Sequence, residues 1–136
     1  MTIPSDLNRI KDVEKVTEKI AGYLNFSEDD RDSLAIAVTE IVGNAIIHGN
    51  KNNINKKVTI KFEYFNDTII VQIQDQGEGF DVEEIDNPLE PENLLKESGR
   101  GIFIVKALMN EIDFYHDKKG TIVRLVKKAK RKKNNN

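Results

Sequence analysis

Apolar residues recur along the first third of the chain at the spacing of two helices. Residues 8–24 place apolar side chains three, four and seven positions apart with charged residues between them, which predicts an amphipathic helix. A second helix is expected to begin at Ser27, which together with Asp30 resembles a capping box. It should end near Gly49, because glycine is a common C-terminal cap.

The rest of the chain alternates between strand and helix patterns. Residues 57–65 and 69–75 place apolar side chains at every second position on either side of a turn, which predicts an antiparallel hairpin. Residues 101–110 predict a third helix, and residues 111–117 and 120–127 predict a second hairpin. This order predicts an α+β fold, a two-layer sandwich with helices on one face of a mostly antiparallel sheet.

Composition restricts the class of protein. The chain has 136 residues, of which 38% are apolar and 32% charged, so one domain with a highly charged surface is expected. It has no cysteine and only two histidines, which excludes a disulfide framework, a thiolate zinc site and a histidine-rich metal site. Because the sequence shows neither an apolar run of membrane-spanning length nor a signal core, we expect a soluble cytoplasmic protein.

The net charge of −2 conceals an uneven distribution along the chain. Residues 81–98 carry seven acidic side chains against Lys96 alone, whereas residues 127–136 carry six basic ones. A basic segment can bind nucleic acid, but the rest of the chain is not basic and aromatic residues make up only 7% of it. We therefore expect residues 1–127 to form the domain and residues 128–136 to be a solvated, disordered tail that binds no nucleic acid.

Polar residues interrupt the apolar pattern of the second helix. Between Leu34 and Ile47 this helix is apolar on nearly all sides, which predicts burial on most of them. Yet Glu40, Asn44 and His48 follow one another every four residues and would form one polar stripe along an α-helix. Buried polar side chains need hydrogen-bond partners or a ligand, so the polar stripe is either an internal network or part of a binding site.

Two glycine-rich segments stand at the ends of predicted elements. Asp75 ends a strand on its apolar side, and Gly77 and Gly79 after it let the backbone approach a ligand closely. Gly99 and Gly101 come directly before the third helix, where exposed backbone N–H groups favour a phosphate chain. Each segment alone is also compatible with an ordinary turn, and the second is neither a Walker loop nor a Rossmann fingerprint.

In this order the three features resemble the ATP-binding boxes of the GHKL, or Bergerat-fold, superfamily. The helix carries Glu40 and then Asn44-Ala-Ile-Ile-His48-Gly, the strand ends in DQGEG from Asp75, and SGRGIF opens the third helix. The chain is most similar to the anti-sigma-factor serine/threonine kinases of bacterial stress and sporulation switches, over about residues 8–127. The resemblance implies the Bergerat ATP-binding fold, with ATP and Mg²⁺ as cofactors.

The resemblance also implies a role for each matching residue. Glu40 would be the catalytic general base that orients or deprotonates a serine hydroxyl of the protein substrate. Asn44 would bind Mg²⁺ through its amide oxygen. Asp75 would accept a hydrogen bond from the adenine amine, and Thr121 would support the adenine end. His48 would either contact the phosphate region or simply end the polar stripe.

Other matching positions would surround the nucleotide. The resemblance implies that the glycines after the strand pass close to the ligand and that the segment before the third helix cradles the phosphates. These positions are Gly77, Gly79, Gly99, Arg100 and Gly101, with Ile102 and Phe103 opening the helix behind them. Residues 81–98 would be the ATP lid. One departure is Glu97, where some family members carry an arginine beside the terminal phosphate, and it leaves the efficiency of phosphoryl transfer open.

The resemblance implies a serine/threonine protein kinase that phosphorylates a STAS-type anti-anti-sigma protein and regulates a sigma factor by partner switching, typically as a homodimer. The alternative is a non-catalytic switch of the same fold that binds its partner according to the nucleotide, which the acidic lid and Glu97 favour. The catalytic domain of a histidine kinase is a weaker third hypothesis. No phosphoacceptor helix pair is visible in the sequence, and the pattern around Glu40 suits the serine kinases better.

Overall fold

The computed structural model describes residues 1–77 and 101–129. Their helices and strands are β1 (Thr2–Pro4), α1 (Ile10–Tyr23), α2 (Glu28–Asn44), β2 (Lys57–Phe65), β3 (Thr68–Gln74), α3 (Gly101–Leu108), β4 (Glu111–Asp117) and β5 (Gly120–Lys128). A 3₁₀ turn, Leu7–Arg9, precedes α1, and a π-helical turn, Ala45–Gly49, continues α2. The three predicted helices and both predicted hairpins are therefore confirmed, to within a few residues at their ends.

The five strands form one antiparallel sheet in the order β1-β2-β3-β5-β4. Its register pairs Val71 of β3 with Leu125 of β5, so the apolar residues of neighbouring strands share a face. The helices α1, α2 and α3 contribute Val13, Ile41 and Val105 to the same buried cluster. This arrangement confirms the predicted α+β sandwich. Within the described ranges, no helix is long and apolar enough to cross a membrane.

The edge strand β1 was not predicted from the sequence. Ile3 is buried and pairs with Val58 of β2, and the N-terminal amine of Met1 donates a 2.9 Å hydrogen bond to the carbonyl of Ile60. Three residues ending at Pro4 are too few to show an alternating pattern, and proline restricts such a segment to a sheet edge. The strand exists because its backbone finds a partner almost sixty residues away along the chain.

A buried lysine connects the beginning of α2 with the end of α3. Ser27 caps α2 as predicted, because its hydroxyl accepts a 3.1 Å hydrogen bond from the amide of Asp30. The Asp30 carboxylate is buried, and its Oδ1 lies 3.6 Å from Nζ of Lys127 on β5. The same Nζ donates a 2.8 Å hydrogen bond to the carbonyl of Leu108, the last residue of α3. One ammonium group therefore joins two helix ends to the final strand.

Lys127 is also the first lysine of the basic segment, and its burial differs from that of the next residue, Lys128. It is only 9% exposed, whereas Lys128, the last residue of β5, is exposed. The remainder of the predicted tail, residues 130–136, lies outside the described part of the chain. The burial of Lys127 therefore marks where the basic sequence enters the domain.

Replacing Lys127 with methionine tests this connection. Lys127→Met keeps an apolar stem but removes the donor to the Leu108 carbonyl and the ion pair with Asp30, so we expect the free energy of unfolding to fall by about 1–3 kcal/mol. Lys128→Met is the matched control on the same strand, where an exposed substitution should change the value by less than about 0.5 kcal/mol. Urea unfolding measures both, and equal losses would contradict the assignment.

Candidate functional site

Three neighbouring strands place polar side chains in a row at one end of the sheet. The register pairs Gln74 of β3 with Ile122 of β5, which sets the next residue, Asp75, opposite Thr121. Thr121 in turn pairs with His116 of β4. Residues at odd positions of β3 and β5 face the helices, so Asp75 and Thr121 continue the apolar face of the sheet as polar groups. We call Asp75, Thr121 and His116 the polar row.

Backbone groups hold the Asp75 carboxylate in place. Its Oδ1 accepts hydrogen bonds from the amides of Gly77 at 2.9 Å and Thr121 at 3.0 Å. The amide of Asp75 donates to the carbonyl of Thr121 at 3.0 Å, and the side chain is 5% exposed. Its Oδ2 faces Gly49 of the π-helical turn. A carboxylate fixed through one oxygen presents the other as an acceptor in a defined position.

Glycines allow three backbone segments to meet at this carboxylate. A Cβ on Gly49 would overlap the carboxylate of Asp75, and a Cβ on Gly77 would overlap the carbonyl of Gly49. Gly120 has φ of +136°, and a Cβ there would overlap the carbonyl of Asp75. For Gly77 the structure shows a close approach to the helix end, and its position beside a nucleotide stays a prediction.

Asn50 fixes the same segment, although it was not predicted from the sequence. Its side chain is 1% exposed, and its Oδ1 accepts a 2.7 Å hydrogen bond from the amide of Gln76, the residue after Asp75. Its Nδ2 donates to Ser5 Oγ at 2.9 Å and to the carbonyl of Lys57 at 3.0 Å. In the sequence nothing separates this residue from the other asparagines of positions 50–55. Only the partners supplied by distant strands identify it.

The polar stripe of α2 lies beside the beginning of α3. A Cβ on Gly101 would overlap the Glu40 carboxylate, so α3 begins directly against this side chain. One turn later, Asn44 Nδ2 is buried and has no hydrogen-bond partner within residues 1–77 and 101–129. Such an orphaned group costs about 1–3 kcal/mol and points to a partner outside the described residues. Because an amide can be turned by half a rotation, its oxygen can take the same position, so the residue fits a cation site.

His48 lies in a π-helical turn and not, as expected, in a regular α-helix. From Ala45 the helix makes a π turn, in which the Asn50 amide donates to the Ala45 carbonyl at 2.8 Å. Hydrogen bonds five residues apart widen this turn, and the side chain of His48 is exposed, whereas Glu40 and Asn44 are half-buried. The place of His48 in the polar stripe stays a prediction. Such π turns are frequent at functional sites.

The predicted burial of this helix on most sides is confirmed, since only two residues between Leu34 and Ile47 are exposed. Ile36 is 50% exposed and Ile47 is 40% exposed. Ile36 lies one turn before Glu40, on the same side of the helix. The open side of α2 is therefore the side that carries the polar stripe.

At the beginning of α3, Ile102 is buried and Phe103 is 67% exposed, so these two predicted positions face different surroundings. Several predicted positions lie outside the described residues: Gly79, Gly99, Arg100, Glu97 and the predicted lid, residues 81–98. The structure therefore brings Asp75, Gly77 and Thr121 together at one end, and Glu40, Asn44 and Gly101 together on the open side of α2.

Two glycines of the same helix provide a matched test of the contact at Asp75. Gly49→Ala should lower the free energy of unfolding by about 1–3 kcal/mol, because the new methyl group overlaps the Asp75 carboxylate. Gly43→Ala is the control, since its Cβ would meet only Ile10 Cδ1 at 3.8 Å, and it should be neutral or stabilise by up to about 1 kcal/mol. Thermal unfolding compares the two, and equal stability would disprove the close approach.

The chain matches the histidine kinase-like ATPase domain family over residues 3–127. Among similar proteins, a Serine-protein kinase RsbW from Oceanobacillus iheyensis is 30% identical over 118 residues, 82% of this chain and 75% of that protein. A Serine-protein kinase RsbW from Staphylococcus epidermidis is 31% identical over 138 residues, 96% of this chain and 86% of that protein.

A similar solved structure is the histidine kinase domain of the Erythrobacter litoralis EL346 blue-light activated histidine kinase. Its TM-score is 0.58 at 20% identity, over 93% of this chain and 62% of that chain, and this likeness concerns the fold. The family match and the two relatives extend over nearly the whole chain. The chain therefore belongs to the histidine kinase-like ATPase domain family and, within it, to the family of serine-protein kinases similar to RsbW.

Proposed function

We propose that the chain is a serine/threonine protein kinase that transfers a phosphoryl group from ATP to a serine of a STAS-type anti-anti-sigma protein, and that it regulates a sigma factor by partner switching. Membership of this ATPase domain family implies the use of ATP. The observation that carries the proposal is the position of Glu40, which lies against the beginning of α3 one turn from the orphaned amide of Asn44. A carboxylate and a cation ligand thus share one open helix side.

The polar row supports adenine recognition beside Gly49, beyond the C-terminal end of α2. Adenine offers an exocyclic amine, which donates hydrogen bonds, and Asp75 Oδ2 is an acceptor whose direction is set by the two amides on Oδ1. Thr121 uses both its backbone groups to hold Asp75, and its hydroxyl, which lies 3.0 Å from Nδ1 of His116, can make a further hydrogen bond. A rigid acceptor of this kind selects an amine-bearing base.

Asn44 and α3 would serve the phosphate end. Within the described residues, no three acidic or histidine side chains converge on a metal site, so a cation at Asn44 would take its remaining ligands from phosphate oxygens and water. Mg²⁺ bound there would offset the negative charge of the triphosphate. The first backbone N–H groups of α3, from Gly101, lack partners inside the helix and suit an anion. The predicted cradle, Gly99 and Arg100, and the exposed His48 would adjoin them.

Glu40 would act as the general base. It would take the proton of the substrate serine hydroxyl as that oxygen forms a bond to the γ-phosphorus and the bond from this phosphorus to the β–γ bridging oxygen breaks. The products are phosphoserine and ADP. Because Gly101 has no side chain, the Glu40 carboxylate can lie directly against the turn where the phosphates are expected.

The partners and the assembly rest on the family resemblance. We propose a STAS-type protein as the phosphorylated partner, a sigma factor as the second partner and a homodimer as the active form. The alternative is a non-catalytic nucleotide-dependent switch, which the acidic segment 81–98 and Glu97 favour because negative charge there opposes a bound triphosphate. The two functions differ in whether Glu40 is needed for chemistry.

Asp75→Asn tests the adenine assignment. The oxygen of the new amide should accept from the amides of Gly77 and Thr121, which places its NH₂ group where Oδ2 was. A donor would then face the adenine amine, so we expect ATP to bind at least about tenfold more weakly. Isothermal titration with Mg-ATP measures the change, with Asp113→Asn on exposed β4 as the control. Unchanged ATP affinity in Asp75→Asn would refute the assignment.

Glu40→Gln tests the catalytic assignment. The substitution keeps the size of the side chain and one acceptor oxygen but removes the base, so we expect phosphoserine formation on a cognate STAS protein to fall at least about a hundredfold. ATP affinity should change less than about threefold, because Glu40 is placed to act on the substrate hydroxyl. Glu18→Gln, on an exposed position of α1, is the matched control and should retain full activity. Phosphotransfer that survives Glu40→Gln would overturn the assignment of Glu40 as the base. Absence of phosphotransfer from the unmodified protein with ATP bound would favour the non-catalytic switch.

A further inference from the structure

The direction in which the Thr121 hydroxyl points its proton determines what this residue can bind. The backbone N–H and carbonyl of Thr121 are both engaged with Asp75. Its Oγ1 lies 3.0 Å from Nδ1 of His116, the residue directly opposite on β4. A hydroxyl has a single proton and two acceptor positions, so it donates to one partner only. Whether Thr121 can donate to a ligand is therefore decided by which atom carries the proton in the bond to His116.

We propose that Nδ1 of His116 donates its proton to Thr121 Oγ1, which directs the threonine hydroxyl proton toward the nucleobase. The inference rests on the proposed function of Asp75 and Thr121 at the adenine. Next to its amine, adenine has a ring nitrogen that only accepts hydrogen bonds. Asp75 accepts from the amine, so a hydroxyl beside it has to donate to the ring nitrogen, directly or through one water. A hydroxyl that donated to His116 could not do so.

His116 is placed to act as such a positioning residue. It is half-buried on the helix-facing side of β4, and its Nε2 is buried, so the ring is held by its surroundings. The other histidine, His48, is exposed. Hydrogen bonds in a chain polarise one another, and an imidazole N–H that donates to Oγ1 strengthens that hydroxyl as a donor. His116 would therefore act on the nucleobase through Thr121.

Hydrogen bonds that run from His116 through Thr121 to the nucleobase predict selectivity for adenine. Guanine and hypoxanthine carry a carbonyl in place of the amine and an N–H in place of the accepting ring nitrogen. The acceptor Oδ2 and a donating hydroxyl both oppose that pattern. If the Thr121 hydroxyl donated to His116 instead, it could accept from the ring N–H of guanine or hypoxanthine, and only Asp75 Oδ2 would disfavour these bases.

Variants of His116 test the inference through binding. His116→Leu removes the donor, so the affinity for ATP should fall about three- to tenfold while the affinity for ITP changes less than about twofold. His116→Asn places an amide N–H near the Nδ1 position and should restore ATP affinity to within about twofold of the unmodified protein. Equal ATP affinity in His116→Leu and the unmodified protein would overturn the proposal.

A double-mutant cycle separates positioning from a general structural effect. Thr121→Val removes the hydroxyl, so His116→Leu added to it should cause no further loss of ATP affinity. Independent, additive losses would show that His116 does not act through Thr121.

The position of the proton on the His116 ring can also be measured in the unmodified protein, so this test does not depend on whether a variant folds. Two-bond ¹H–¹⁵N correlation spectra report which imidazole nitrogen carries a proton, with the exposed ring of His48 as internal reference. We expect a proton on Nδ1 of His116, and a proton on Nε2 alone would overturn the proposal. Failure of this proposal and failure of the proposed function can be told apart. A protein that binds no ATP would refute the proposed function, whereas the spectra would still show which way the hydrogen bond between His116 and Thr121 points.

Discussion

The contact between Gly49 and the Asp75 carboxylate is the constraint on which the rest of the site depends. It presses the end of α2 against the end of β3 more closely than any side chain would allow. Asn50, the next residue, secures the approach with three side-chain hydrogen bonds, to β2, to Ser5 and to the residue after Asp75. Because α2 is one continuous helix up to this point, fixing its end also fixes where Asn44 and Glu40 lie. The two ends of the proposed nucleotide site are thus positioned by a single element.

The third helix completes the site and is itself held at both ends. Gly101 begins α3 against Glu40, and the carbonyl of Leu108 accepts a hydrogen bond from Lys127. Lys127 also faces Asp30, which lies in the first turn of α2. The two helices are therefore linked at opposite ends, by a steric contact on one side and by an ammonium group on the other.

The spacing of apolar residues along the sequence predicted the helices, the hairpins and the side of the sheet on which Asp75 lies. Alternation over 57–65 and 69–75 fixed both the first hairpin and the side on which Asp75 lies, because a period of two carries the core face to the last residue of a strand. Features that need a distant partner left no local pattern. The edge strand β1 pairs with residues almost sixty positions away. Asn50 and Lys127, which join distant elements, have exposed neighbours of the same residue type in the sequence. The π turn that contains His48 likewise has no signal in the sequence.

The contact between Glu40 and Gly101 also bears on the difference between a kinase and a switch. The carboxylate that would take the serine proton is the one against which α3 begins, so a shift of α3 on nucleotide exchange would move the base as well. Chemistry and partner switching are then two consequences of one packing contact. Truncating Glu40 to alanine would alter both, because it opens space in front of α3 as it removes the base. Only an isosteric amide separates them, since it preserves the contact with Gly101 while it removes the negative charge and the ability to accept a proton.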